Sequence, residues 1–487
     1  MLFNSYVFIL LFLPVVWVVY FGFNKLEWYR AAMAFLVAAS LFFYGYNSWR
    51  YALLLAVGIL VNFCLHRLLL KWQNSFCSVI LAAGFLYNLG LLFYFKYYNF
   101  FLENFNLVFR TALPLKHILL PLGISFYTFQ QISFLIDSYR GNMPQYSLLE
   151  YALFVSFFPQ LVAGPIVLHN EMIPQFRDKK KRTVNYDSVY DGLQYFTFGL
   201  AKKLLLADTL GRVVDWGYEN VLALNTLGAA IVILSYTLQI YLDFSGYSDM
   251  AIGIGRLFGF ELPVNFNSPY KAYSVGEFWR RWHMTLTRFL TTYLYIPLGG
   301  NRRGKIRTCV NILLVFLVSG LWHGADWTFV LWGGLHGCMM VLERLFGKQL
   351  DKAPGVLRRV GTFCFVNAAW VFFRADFFRQ ALSLFKRLLT GGLGGIPEGM
   401  CDAFLSSGTK LFWGQLQSVP AAGSLFVQGM LILGLAALLG MVFYGKSTQE
   451  LVAARKEEKR YVFALSCLML ASVVSLSGVS QFLYFNF

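Results

Sequence analysis

Long apolar runs recur along the whole of this chain, and they constrain its fold more than any other feature. They lie near residues 5–23, 31–46, 52–70, 76–94, 117–136, 148–168, 193–206, 221–242, 251–260, 308–321, 328–342, 360–373, 425–444 and 462–476. About 20 apolar residues in a helix cross a hydrocarbon core roughly 30 Å thick. Inside that core the helix satisfies its own backbone polar groups. The expected fold is therefore an all-α polytopic membrane protein. Several runs are short or broken by Gly and Pro, so roughly 11–13 crossings are expected, with re-entrant and amphipathic pieces between them.

Composition agrees. Of the 487 residues 58% are hydrophobic and 13% charged, where a soluble domain carries about 25% charged residues. The formal charge is +17, but the basic residues cluster in short loops between apolar runs, which is the pattern of membrane topology rather than of a nucleic-acid surface. The seven cysteines are odd in number, lie mostly in apolar runs (Cys64, Cys77, Cys338, Cys364 and Cys467) and lack CxxC spacing. Neither a disulfide frame nor a metal site is expected.

Residues 5–23 follow no basic leader and precede no good cleavage site, so they read as a retained first span. Lys25, Arg30, Arg67 and Lys71 mark the odd-numbered loops as cytoplasmic, which puts the N-terminus outside. Further cytoplasmic clusters are expected at 179–182, 302–307, 344–359 and 455–460. Residues 391–420, rich in Gly, read as an external loop. The expected organisation is one integral-membrane domain over 1–487, with N-terminal helices at 1–137, a catalytic core at about 150–375 and C-terminal helices with a tail at 420–487.

Trp322-His323-Gly324 sits between two apolar runs. A histidine costs free energy at membrane depth unless its polar atoms are satisfied, and it usually serves a pathway or a reaction. Imidazole exchanges a proton near neutral pH, so His323 reads as a proton-handling group. The plainer alternative is a histidine that caps a broken helix. Gly320 and Gly324 are expected to leave room for a substrate beside the ring. Upstream, residues 280–295 read as one amphipathic segment. Glu277, Arg281, Thr285, Arg288 and Thr292 share one face, and Phe278, Trp282, Leu286, Phe289 and Tyr293 another. His283 lies between the faces, equally open to a chemical or an interfacial role.

Asp243 and Asp249, in an apolar stretch, are expected either to line a substrate path or to pair with Arg256, Arg280 or Arg281. Residues 158–165 (FPQLVAGP) read as a broken helix end. His336 is expected to pack or to make a supporting bond, and His66, His117 and His169 to sit at interfaces. The loop holding Arg302, Arg303, Lys305 and Arg307 is expected to set topology and to attract an anionic substrate. The last six residues are almost wholly apolar or aromatic, with Tyr484 carrying their only hydroxyl. No GxSxG elbow, Walker loop or HExxH motif occurs.

These residues resemble a known family. The strings FPQLVAGPI (158–166), DFSGYSDMAIG (243–253), NFNSPY (265–270), FWRRWHMTL (278–286), YLYIPLGGNRRG (293–304) and GLWHGADWTFVLWGGLHG (320–337) closely resemble the membrane-bound O-acyltransferase superfamily. Within it they resemble the branch of bacterial alginate O-acetyltransferase membrane subunits, in order and over the full chain. The resemblance implies a ring of helices around a central funnel, with His323 at its floor and His283 as the second family histidine. Trp322, Arg281, Asp243, Asp249, Arg302, Arg303 and Lys305 would then contact substrate. It also implies acetyl-CoA as a cytoplasmic donor substrate, with no bound cofactor. The expected partners are an extracytoplasmic acetyltransferase- or esterase-like protein, a cell-surface polymer acceptor and membrane lipids. Tyr484 resembles an aromatic C-terminal acyl carrier of some relatives, and an aromatic interface anchor is its alternative. D-alanyl transfer to teichoic acid and, from another class, glycan or lipid transport are the competing functions.

Overall fold

The structure is a computed structural model that describes residues 1–72, 76–141, 143–405, 420–454, 458–477 and 482–483. Among the described residues every regular element is helical and none is a strand. Among the described residues eight helices are long and apolar enough to cross a membrane: Val7–Lys25, Trp49–Lys71, Phe76–Phe109, Thr226–Leu257, Lys305–His323, Trp327–Leu350, Gly355–Arg374 and Leu425–Tyr444. The chain is thus an all-α, multi-pass membrane protein.

The difference from the expected crossing number has local causes. Ile124–Tyr139 is a 16-residue helix buried on nearly all sides. The run at 148–168 breaks after Ser156, where Phe157 leaves helical geometry and caps a single turn begun by Phe158 and Pro159. The runs at 221–242 and 251–260 share one 32-residue helix, Thr226–Leu257. That helix is enclosed by protein: its apolar window is 83% buried, against 22–39% for the other seven.

The chain forms two compact units. One comprises Met1–Phe198 with Tyr247–Val264, and the other Gly199–Gly246 with Asn265–Ser475. In the first unit, buried polar side chains bind one another. Asn62 donates to Asn88 at 3.2 Å and to Gln131 at 2.5 Å, and Asn88 returns a bond to Asn62 at 2.7 Å. The Trp49–Lys71, Phe76–Leu92 and Ile124–Tyr139 helices are joined in this way. His66 and His169 are buried here rather than interfacial. His66 meets Ser138 at 2.8 Å, and His169 meets Tyr146 at 3.1 Å and Asp137 at 3.3 Å. His117 is exposed.

In the second unit the Lys305–His323 and Trp327–Leu350 helices form a tight antiparallel hairpin. Asp326 caps the second helix by accepting from the Thr328 N–H at 2.8 Å. Glycine permits the close approach, since a Cβ on Gly320 would lie 2.3 Å from the Phe329 carbonyl oxygen and one on Gly333 equally close to that of Phe316. A Cβ on Gly324 would strike the Phe329 ring at 2.2 Å. The space expected beside Gly320 and Gly324 is therefore filled by helix packing, not kept for a substrate.

Candidate active site

His323 is the last residue of its helix, and Gly324, in extended conformation, takes the chain out of it. The side chain is 3% exposed and walled by rings. Trp332 lies 5.1 Å away edge-on, Phe373 at 5.4 Å, and Trp322, itself buried, at 4.9 Å. The His283 ring stands 6.3 Å from that of His323, so both histidines share one buried, aromatic chamber.

A break in the amphipathic segment brings His283 there. Residues 280–295 do not form one helix. Val275–Arg281 ends, His283 adopts left-handed geometry at φ 44°, and Met284–Leu290 begins. A residue with a Cβ reaches that region at a cost and needs surroundings that enforce it. Asn265, from the NFNSPY string, supplies them. Its carbonyl accepts from the Met284 N–H at 3.0 Å, and its side-chain oxygen accepts from the Thr285 N–H at 3.3 Å and the Thr285 hydroxyl at 2.9 Å. The same oxygen faces His283 Nδ1 at 3.1 Å. It therefore accepts a hydrogen bond from Nδ1–H, which puts the lone pair of a neutral ring on Nε2. Phe244 meets it edge-on at 4.8 Å.

Asp243 lies on the Thr226–Leu257 helix, one residue before Phe244. It meets a lysine that the sequence did not suggest. Lys203, 1% exposed, bonds Asp243 at 2.6 Å and Asp208 at 2.8 Å, making a buried ion triad on a π-helical turn, Lys202–Ala207. Arg256 pairs with Asp191 at 2.8 Å. Arg281 turns to its own helix, bonding Glu277 at 2.9 Å and the Asn267 carbonyl at 3.2 Å. Asp249 is buried in the first unit.

Arg302, Arg303, Lys305 and Arg307 are exposed. The 19-residue helix from Lys305 to His323 puts Lys305 about 27 Å from the histidine, at ~1.5 Å per residue. The structure therefore does not bring this loop to the histidines. Tyr484 lies outside the described residues.

Three contributors to the site carry no local sequence signal. Asn265 lies in the NFNSPY string, 18 positions before His283. Lys203 lies 40 positions upstream of Asp243, so no local pattern joins them. Trp332 was one tryptophan among several. The supporting bond expected of His336 comes from Trp279, whose indole N–H donates to His336 Nδ1 at 3.1 Å. Among the described residues no group of His, Cys, Asp and Glu could hold a metal ion.

The profile of the membrane-bound O-acyltransferase family matches residues 115–378. The peptidoglycan O-acetyltransferase of Helicobacter pylori is 40% identical, over 100% of this chain and 98% of its own length. A probable alginate O-acetylase of Pseudomonas aeruginosa is 40% identical over 82% of this chain and 76% of its own length. The teichoic acid D-alanyltransferase of Streptococcus thermophilus is 28% identical over 46% of this chain and 56% of its own length. With its spanning helices and its buried histidine pair, this chain belongs to the membrane-bound O-acyltransferase family and is an O-acyltransferase.

Proposed function

We propose that the protein passes an acetyl group from a cytoplasmic donor, acetyl-CoA, across the bacterial cytoplasmic membrane for O-acetylation of an extracytoplasmic polymer. The observation that carries this reading is the buried pair His283 and His323, within a chain similar over its full length to a peptidoglycan O-acetyltransferase. That full-length similarity favours peptidoglycan over alginate as the acceptor. The D-alanyl reading rests on a match to less than half of the chain.

In the proposed chemistry His323 takes the proton of an acceptor hydroxyl as its oxygen attacks the thioester carbonyl. A C–O bond forms, the C–S bond breaks, and the departing thiolate recovers a proton. Neutral His283 supports the same chamber with its Nε2 lone pair. Tyr484 is the proposed first acceptor, forming an aryl ester that a partner protein outside the membrane takes up. Its phenol has a pKa near 10 and needs a base to become a nucleophile. Arg302, Arg303 and Lys305 are proposed to draw the donor's phosphates to the cytoplasmic surface, with the N-terminus outside.

The O-acetyl content of muropeptides from cells lacking the gene, measured by mass spectrometry, tests the reading. Loss of O-acetyl groups, restored by the wild-type gene, is expected. Unchanged peptidoglycan acetylation would overturn the acceptor assignment. Tyr484→Phe should restore little acetylation, and full restoration would leave the residue an aromatic anchor.

A further inference from the structure

A cavity of about 590 Å³ opens beside the Val275–Arg281 helix, away from the histidine chamber. Its walls include Arg280, Glu343, Arg358, Leu357 and Phe365. The acids around it are already committed. Glu343 accepts from the backbone N–H groups of Val275 at 2.5 Å and Gly276 at 2.8 Å. Glu277 holds Arg281 at 2.9 Å, and Asp351 holds Arg358 at 2.7 Å. Arg280 is the exception: it enters no hydrogen bond or ion pair among the described residues, and it is exposed. The cavity thus presents a guanidinium that acts on Glu277 only through its charge, with half-buried Arg358 on its wall, whose exposed partner Asp351 an anion can replace.

Its depth identifies the anion. The walls come from the Trp327–Leu350 and Gly355–Arg374 helices where a short turn joins them, and both helices are of spanning length. The end of two adjacent spans is the level of lipid headgroups. Arg344, Lys348 and Lys352 are exposed around the same turn, and such clusters attract anionic lipid by about 1 kcal/mol per basic residue. Leu350, Leu357 and Phe365 offer apolar wall for the first methylenes of acyl chains. The volume falls in the range of sites for small molecules, larger than an inorganic ion needs.

We infer that this cavity binds the phosphate of an anionic phospholipid headgroup on Arg280 and Arg358. The bound lipid braces the Val275–Arg281 helix, which carries Trp279 to His336 and ends at Trp282, next to His283. Anionic lipid therefore raises turnover. That effect on turnover, unlike the binding, rests on the proposed acyl transfer.

Native mass spectrometry of delipidated protein, titrated with phosphatidylglycerol or phosphatidylcholine, tests the inference. Wild type should prefer phosphatidylglycerol about tenfold, the size of one charge-assisted hydrogen bond. Arg280→Gln should abolish the preference, and Arg280→Lys should keep most of it. Lys386→Gln, on the Phe378–Thr390 helix and outside the cavity, should leave it intact. A phosphatidylglycerol preference that survives Arg280→Gln would overturn the site. A second arm adds coenzyme A. If it displaces phosphatidylglycerol, and Arg280→Gln raises the donor KM with lipid binding unchanged, the cavity serves the donor's phosphates and the lipid assignment falls.

Discussion

Buried polar side chains are handled in two ways in this molecule. In the first unit, Asn62, Asn88 and Gln131 close on each other across three helices, and His66 and His169 find hydroxyl or carboxylate partners. In the second, His323 and His283 face each other across 6.3 Å inside walls of Trp and Phe, and His283 is held in a left-handed conformation by Asn265. The first arrangement binds helices together. The second keeps two imidazoles close, one of them in a conformation that costs energy and that the bonds from Asn265 enforce. The comparison teaches that membrane burial of a polar residue does not itself signal chemistry; the company it keeps decides.

Three substitutions would break or sharpen this contrast. Lys203→Met should have the largest effect on stability, because it removes the cation shared by buried Asp243 and half-buried Asp208. Such losses cost about 3–5 kcal/mol, and a lowered melting temperature of the purified protein would show it. Adding Asp243→Asn should recover part of the loss if the triad is a charge balance. No destabilisation in Lys203→Met would mean that water reaches these carboxylates. Gly320→Ala should cost about 1–3 kcal/mol by overpacking the hairpin, with activity falling as the His323 helix end shifts. A neutral result would mean that the two helices can part without consequence. Asn62→Ala should have the smallest effect, about 1 kcal/mol, as for other hydrogen bonds between membrane helices. Its rate of acyl transfer should stay at the wild-type level, and a large rate loss at unchanged stability would give the network a role beyond helix packing.

The contrast also shows what the sequence could and could not reveal. The apolar runs and the arrangement of basic loops made the all-helical membrane class legible, because segment length is imposed by bilayer thickness. The motif strings pointed to His323 and His283, and the structure places their rings in one chamber. The crossing number was less legible, since a helix enclosed by protein, such as Ile124–Tyr139, is as apolar as one in lipid but need not span. The pairing of Asp243 with Lys203 was hidden because ion pairs between helices carry no sequence spacing; Arg281, one of the arginines expected, bonds a carboxylate one turn away on its own helix. The glycines around His323 signalled close approach, but sequence does not say whether helix or substrate approaches. The turn at His283 was hidden inside a regular amphipathic pattern that Asn265, from a distant loop, interrupts.

The histidine chamber is expected to perform chemistry while the asparagine network only holds helices. Thioester consumption by purified His323→Ala and Asn62→Ala proteins, measured together against wild type and alongside their melting temperatures, tests it most directly. His323→Ala should lose about 10²–10⁴-fold in rate, as expected for a missing general base, with its melting temperature little changed, while Asn62→Ala keeps its rate. A His323→Ala protein that consumes thioester at the wild-type rate would contradict the claim.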